Sequence, residues 1–68
     1  MNITLNNRSE KLEGYNELTV SELLKVKNFT FKFLAVRVNG TPVSTSEYNE
    51  AVIRPGDKVV VMHLISGG

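Results

Sequence analysis

One capping signal limits what this chain can build. Thr19-Val20-Ser21-Glu22 sets a hydroxyl to accept from the backbone N–H three residues on, and a carboxylate to accept from the N–H of the threonine itself. Leu18 and Leu23 hold the two staple positions around this box, which fixes how the chain enters the first turn. Val20, Leu23, Leu24 and then Val26-Lys27 continue at helical spacing. The expected helix is about two to three turns long. The β-branched and aromatic residues from Asn28 to Phe31 argue against its continuation. A single short helix can cover only one face of one small sheet.

The rest of the chain reads mainly as strands and turns. Ile3 and Leu5 alternate with Asn2, Thr4 and Asn6, the period of a strand with one buried face. Asn6-Asn7 tolerates left-handed dihedrals, so it predicts a tight turn, with Glu10–Glu13 as the return strand. Residues from Gly14 to Leu18 read as a loop. Phe31 to Val38 is the most strand-like interior run, with Leu34, Val36 and Val38 on one face and Phe33, Ala35 and Arg37 on the other. Asn39-Gly40 ends it in a turn. Thr41-Pro42-Val43 suits an edge, because Pro42 has no N–H for a ladder. In the polar segment Ser44–Asn49, Ser46 is placed to cap one helical turn over Glu47–Asn49. Ala51–Ile53 returns to the core, Arg54–Asp57 turns again, and Lys58–Ile65 is the last strand. This order predicts an α+β domain spanning residues 1–68, with a mixed four- to five-stranded sheet wrapped over one main helix.

Sixty-eight residues form one domain, and a chain of that size buries only roughly 60% of its unfolded surface. It contains no cysteine, which excludes disulfides, thiolate zinc sites and a cysteine nucleophile, and fits a reducing, cytoplasmic setting. Eight basic residues stand against seven acidic ones with the signs interspersed, so there is no basic stripe for nucleic acid. No apolar run approaches the roughly 20 residues of a membrane-spanning helix, and the first residues lack a signal-peptide pattern. Without a secretion signal, the glycosylation-like triplets at Asn2, Asn7, Asn28 and Asn39 are chance features of an Asn-rich chain.

The last strand breaks the rule of one apolar face. Val59 and Val61 alternate with Val60, Met62 and Leu64, and both sets are apolar. With only one helix available, the second set is expected on an uncovered outer face, together with Phe33 and Ala35. That face adjoins Ile65-Ser66-Gly67-Gly68. A Gly-Gly end adds nothing to a core and orders at high entropic cost. It does supply a thin thread ending in an unhindered carboxylate. No enzyme centre competes with it. His63 is the only histidine and has no metal-ligand companion, and Glu10, Glu13, Glu47, Glu50 and Asp57 are scattered over turns and solvated positions. Asp57 is best placed to order the Pro55-Gly56 turn. Gly67-Gly68 is no phosphate loop, since no helix follows it.

Asn39-Gly40 after an apolar strand, Pro55-Gly56-Asp57 before the last strand, and terminal Gly67-Gly68 together resemble the ubiquitin-like sulfur carriers, most closely the short carriers of thiamine biosynthesis. The likeness covers the whole chain. It implies a β-grasp fold and a protein that is not an enzyme but a co-substrate. By that likeness, an adenylating enzyme related to the ubiquitin activators would activate the Gly68 carboxylate, with Gly67 as its approach. A sulfur donor protein would then convert it to a thiocarboxylate, and thiazole synthase would receive the sulfur. ATP and its metal would be bound by the activating partner, leaving this chain without a cofactor. Phe33, Ala35, Val60, Met62, Leu64, Ile65 and Ser66 would contact partners. Tyr48 matches a large aromatic of such carriers only by type, and Phe29, Phe31 and Phe33 make this chain more aromatic there than the resemblance leads one to expect. Three other uses of the same fold stay open at this stage: the small subunit of molybdopterin synthase, a protein-modifying tag, and a β-grasp interaction module without tail chemistry. The compact chain and short helix weigh against the first, and the neutral charge balance weighs against an RNA-binding version of the last.

Overall fold

The computed structural model describes residues 1–29 and 34–63. Strands β1 (Asn2–Leu5) and β2 (Arg8–Lys11) form an antiparallel hairpin with Leu5 opposite Arg8. Asn6 and Asn7 between them have φ of 51° and 67°, the two left-handed residues that a tight hairpin of matching twist requires. Pairing therefore resumes at once, and the return strand begins at Arg8 rather than at Glu10. Leu12 follows β2 and is buried.

Strand β3 (Leu18–Thr19) runs straight into helix α1 (Val20–Val26), so Leu18 belongs to a strand and not to the preceding loop. The capping box forms as the sequence predicts. The Glu22 N–H donates to Thr19 Oγ1 at 3.1 Å, and the Thr19 N–H donates to Glu22 Oε1 at 2.9 Å. Two more orphan donors of the first turn are met by a distant segment: Val20 donates to the Ala51 carbonyl and Ser21 to the Tyr48 carbonyl, both at 2.9 Å. The helix stops because Asn28 turns left-handed at φ 58°. Its N–H donates to the Lys25 carbonyl and that of Phe29 to the Leu24 carbonyl, the double bond pattern of a Schellman end. The stop is thus an asparagine cap, beyond what aromatic and branched composition alone indicates.

Strands β4 (Leu34–Val38) and β5 (Thr41–Val43) follow, joined by Asn39 (φ 52°) and Gly40 (φ 83°) in the second left-handed pair of the molecule. A 3₁₀ turn covers Thr45–Glu47, with Ser44 and not Ser46 in the cap position. Strand β6 (Val52–Ile53) pairs with β3 in a small second sheet, Leu18 opposite Ile53. The Asp57 N–H then closes the turn onto the Arg54 carbonyl at 3.1 Å, with Pro55 and Gly56 (φ 86°) at its centre. Asp57 orders this turn, since its Oδ2 accepts from the Arg54 N–H at 2.9 Å.

The main sheet has the order β2-β1-β7-β4-β5, where β7 is Lys58–His63. β1 and β7 run parallel and the other neighbours antiparallel. Pro42 lies on the edge strand, where a missing N–H costs nothing. The core fills one side of this mixed sheet. Ile3, Leu5, Val36 and Val59 come from the strands, Val20 and Leu23 from the helix, and Leu12, Leu18 and Ile53 from the segments that wrap it. The fold is the predicted α+β arrangement. Among the described residues no helix is long and apolar enough to cross a membrane.

Candidate functional site

The ladder between β4 and β7 decides which side chains leave the core. Val36 pairs with Val61 and Val38 with Val59, on the helix side. Val36 and Val59 are buried. The intervening pairs, Ala35 with Met62 and Arg37 with Val60, therefore point to the other face, which the helix does not reach. Ala35 and Val60 are half-exposed there, and Met62 is 49% exposed. The remaining residues of the sequence-predicted surface and tail, Phe33, Leu64, Ile65, Ser66, Gly67 and Gly68, lie outside the described residues.

Charge is sorted between the two sides of the sheet. Lys58 lies in register with Thr4, next along β7 from Val60, and Arg37 lies across from Val60. Both cations are exposed and form no ion pair among the described residues. The positions on this face read Asn2 and Thr4 on β1, Ser9 and Lys11 on β2, Pro42 on β5, and no carboxylate is among them. Lys11 is the one engaged cation of the face, 3.4 Å from Glu13 in an exposed pair of little energetic weight.

Four carboxylates are engaged elsewhere. Glu10 meets Lys27 at 2.9 Å, tying the edge strand to the end of the helix. Glu22 completes the helix cap. Asp57 accepts from Asn39 Nδ2 at 3.1 Å as well as from Arg54. Glu47 accepts from Ser44 Oγ at 2.7 Å and from the Ser44 N–H at 3.0 Å. The hydroxyl first and the amide second favour its ionised form and hold its carboxyl below the usual glutamate range. No three acidic or histidine side chains gather into a metal-binding group among the described residues, and no pocket opens among them. His63 is exposed at the end of β7, across from Leu34. The described body therefore presents an uncovered sheet face, with an apolar zone at Ala35, Val60 and Met62 and a cationic zone at Arg37 and Lys58.

Two asparagines hold β7 in place, a role that turn propensity does not reveal. Asn39 donates its N–H to the Lys58 carbonyl at 2.7 Å and accepts the Lys58 N–H on its side-chain Oδ1 at 2.9 Å. Asn6 does the same from the opposite side, donating its N–H to the Val59 carbonyl at 2.9 Å and accepting the Val61 N–H on Oδ1 at 2.8 Å. The sequence signal is an Asn directly after each of the two strands that flank β7, a placement that turn propensity alone also satisfies.

A mixed sheet with a parallel β1–β7 pair at its heart, clasping one helix, defines the β-grasp class of small ubiquitin-like domains. The chain belongs to the ThiS family, whose model matches residues 3–68. Among solved structures it is similar to the crystal structure of the thiamine biosynthesis protein ThiS from Geobacter metallireducens, with a TM-score of 0.91, 26% identity, and all of both chains covered. The solution structure of a thiamine biosynthesis protein from the same organism gives a TM-score of 0.82 and 26% identity, covering all of this chain and 88% of that one. No curated protein sequence matches the chain significantly.

Proposed function

We propose that the protein is the sulfur carrier of thiamine biosynthesis and that its working group is the carboxylate of Gly68. A partner enzyme would join that carboxylate to the α-phosphorus of ATP, releasing pyrophosphate and leaving an acyl-adenylate. Sulfide-level sulfur (HS⁻) released by a donor protein would attack the carbonyl, expel AMP and lose its proton, leaving a thiocarboxylate that passes its sulfur to thiazole synthase. Gly67-Gly68 suits this because a backbone without side chains enters a narrow channel. ATP and metal chemistry belong to the activating partner, and the protein acts in the cytoplasm as a co-substrate rather than as an enzyme.

The body's part is to dock. The observation that carries this reading is the uncovered pair Ala35–Met62 with Val60 beside it, on the strand that leads into the tail. Phe33, Leu64, Ile65 and Ser66 extend the proposed contact toward Gly67. Family membership over residues 3–68 supports the pathway. The test is ATP–pyrophosphate exchange with a thiamine-pathway activating enzyme beside a molybdopterin-pathway one. Exchange with the first and not the second is expected. Exchange only with the second would reassign the carrier, and exchange with neither would favour a binding module.

A further inference from the structure

β7 is supported unevenly along its length. β1 pairs with Lys58 and Val59, and β4 takes up the other side from Val59 onward. After Val59 the main chain of β1 has already turned away at Asn6-Asn7, while β4 continues opposite Val60, Val61, Met62 and His63. In a parallel ladder the next bond would run from the Val61 N–H to the main-chain carbonyl of Asn6. With Asn6 at φ 51° the chain leaves the strand, and the side-chain Oδ1 stands in for that carbonyl at 2.8 Å. Asn7, equally left-handed at φ 67°, makes no such bond among the described residues.

We propose that Asn6 is a positioning residue for the strand that leads to the tail: its side-chain oxygen extends β1 by one residue and pins β7 at Val61, so that the strand is held on both sides up to Val61, ahead of Met62 and His63. This rests on the carrier reading for its functional consequence, but not for the clamp itself. A turn needs only a left-handed residue at position 6, which glycine satisfies. The Oδ1 bond is an additional demand that only an acceptor of this reach meets. Asn39 is the internal control. It likewise combines a main-chain donor with a side-chain acceptor, here both to Lys58 at the end of β7 remote from the tail, and its Nδ2 also donates to Asp57.

Three variants of the full chain separate the roles. Asn6→Gly keeps the left-handed backbone and removes the acceptor. Asn6→Asp keeps both. Asn39→Gly removes the matching clamp at the far end. In amide hydrogen exchange, Asn6→Gly is expected to speed exchange at Val61 by about tenfold, as loss of one such bond allows, with Val59 unchanged. In ATP-dependent charging of the tail, measured where all variants are folded, kcat/KM is expected to fall for Asn6→Gly, recover in Asn6→Asp, and stay at the wild-type value in Asn39→Gly. Wild-type protection of Val61 in Asn6→Gly overturns the clamp. An equal loss of charging in Asn39→Gly overturns its link to the tail, since the effect would then be general loosening of the sheet. If the wild-type chain is never charged, the carrier reading fails, and the exchange at Val61 still decides the clamp.

Discussion

The two faces of the sheet are built to different rules. On the helix side nine apolar side chains of the described residues close over one another, and carboxylates at its margin serve in caps, a turn and the Glu10–Lys27 pair. On the outer side Val60 and Met62 stay uncovered, and Arg37 and Lys58 form no ion pair among the described residues. β7 belongs to both: Val59 is fully buried while its neighbour two positions on from Val60, Met62, is half in water. A strand of this kind lets the core and the outer surface be altered separately, by choosing odd or even residues.

The largest effect should come from the closed side. Leu23→Ala or Ile53→Ala removes a fully buried side chain and is expected to cost about 2–5 kcal/mol, read from chemical denaturation. In a domain this small such a loss leaves little folded protein. If either change proves nearly neutral, the contrast between the faces is false. Next is the helix cap. Thr19→Ala removes the acceptor for the Glu22 N–H and should cost about 1 kcal/mol, again by denaturation.

The outer face should respond in the opposite sense. Met62→Asp is expected to change stability by no more than about 0.5 kcal/mol, as an exposed position does, while clearly weakening charging by the activating enzyme. Unfolding of that variant would mean that this side of β7 is core. The smallest effect concerns Glu47. Its folded-state pKa is lowered by Ser44, so its contribution is fully present above the ordinary glutamate pKa and is lost as pH falls through the lowered value. Ser44→Ala should move the Glu47 titration, followed by NMR, upward toward the ordinary range. An unmoved titration would mean that the hydroxyl is not the cause.

Much of this architecture was legible before the structure. The Thr19–Glu22 box, the two asparagine turns, the Pro55-Gly56 turn with Asp57 and the double-sided β7 each carry a local chemical reason, and each forms as read. What escaped was either too short or too polar to leave a pattern. β3 and β6 are two residues each, below any periodicity. β2 opens with Arg8 and Ser9 on a sheet edge, so alternation could not place its start. Ser44 and Ser46 are equivalent as cap candidates until the chain path chooses. For the candidate site, the outward set Ala35, Val60 and Met62 followed from counting faces against a single helix. The clamping oxygens of Asn6 and Asn39 did not, because they depend on which strand comes to lie between β1 and β4, a tertiary fact.

The account stands most directly on the chemistry at Gly68. Intact-mass spectrometry of the wild-type chain, incubated with the activating enzyme, ATP and a sulfur source, should show exchange of one oxygen for sulfur, located at Gly68 by fragmentation and absent when a residue is appended after it. A folded wild-type protein of unchanged mass, or an extended protein charged as readily as the wild type, would contradict it.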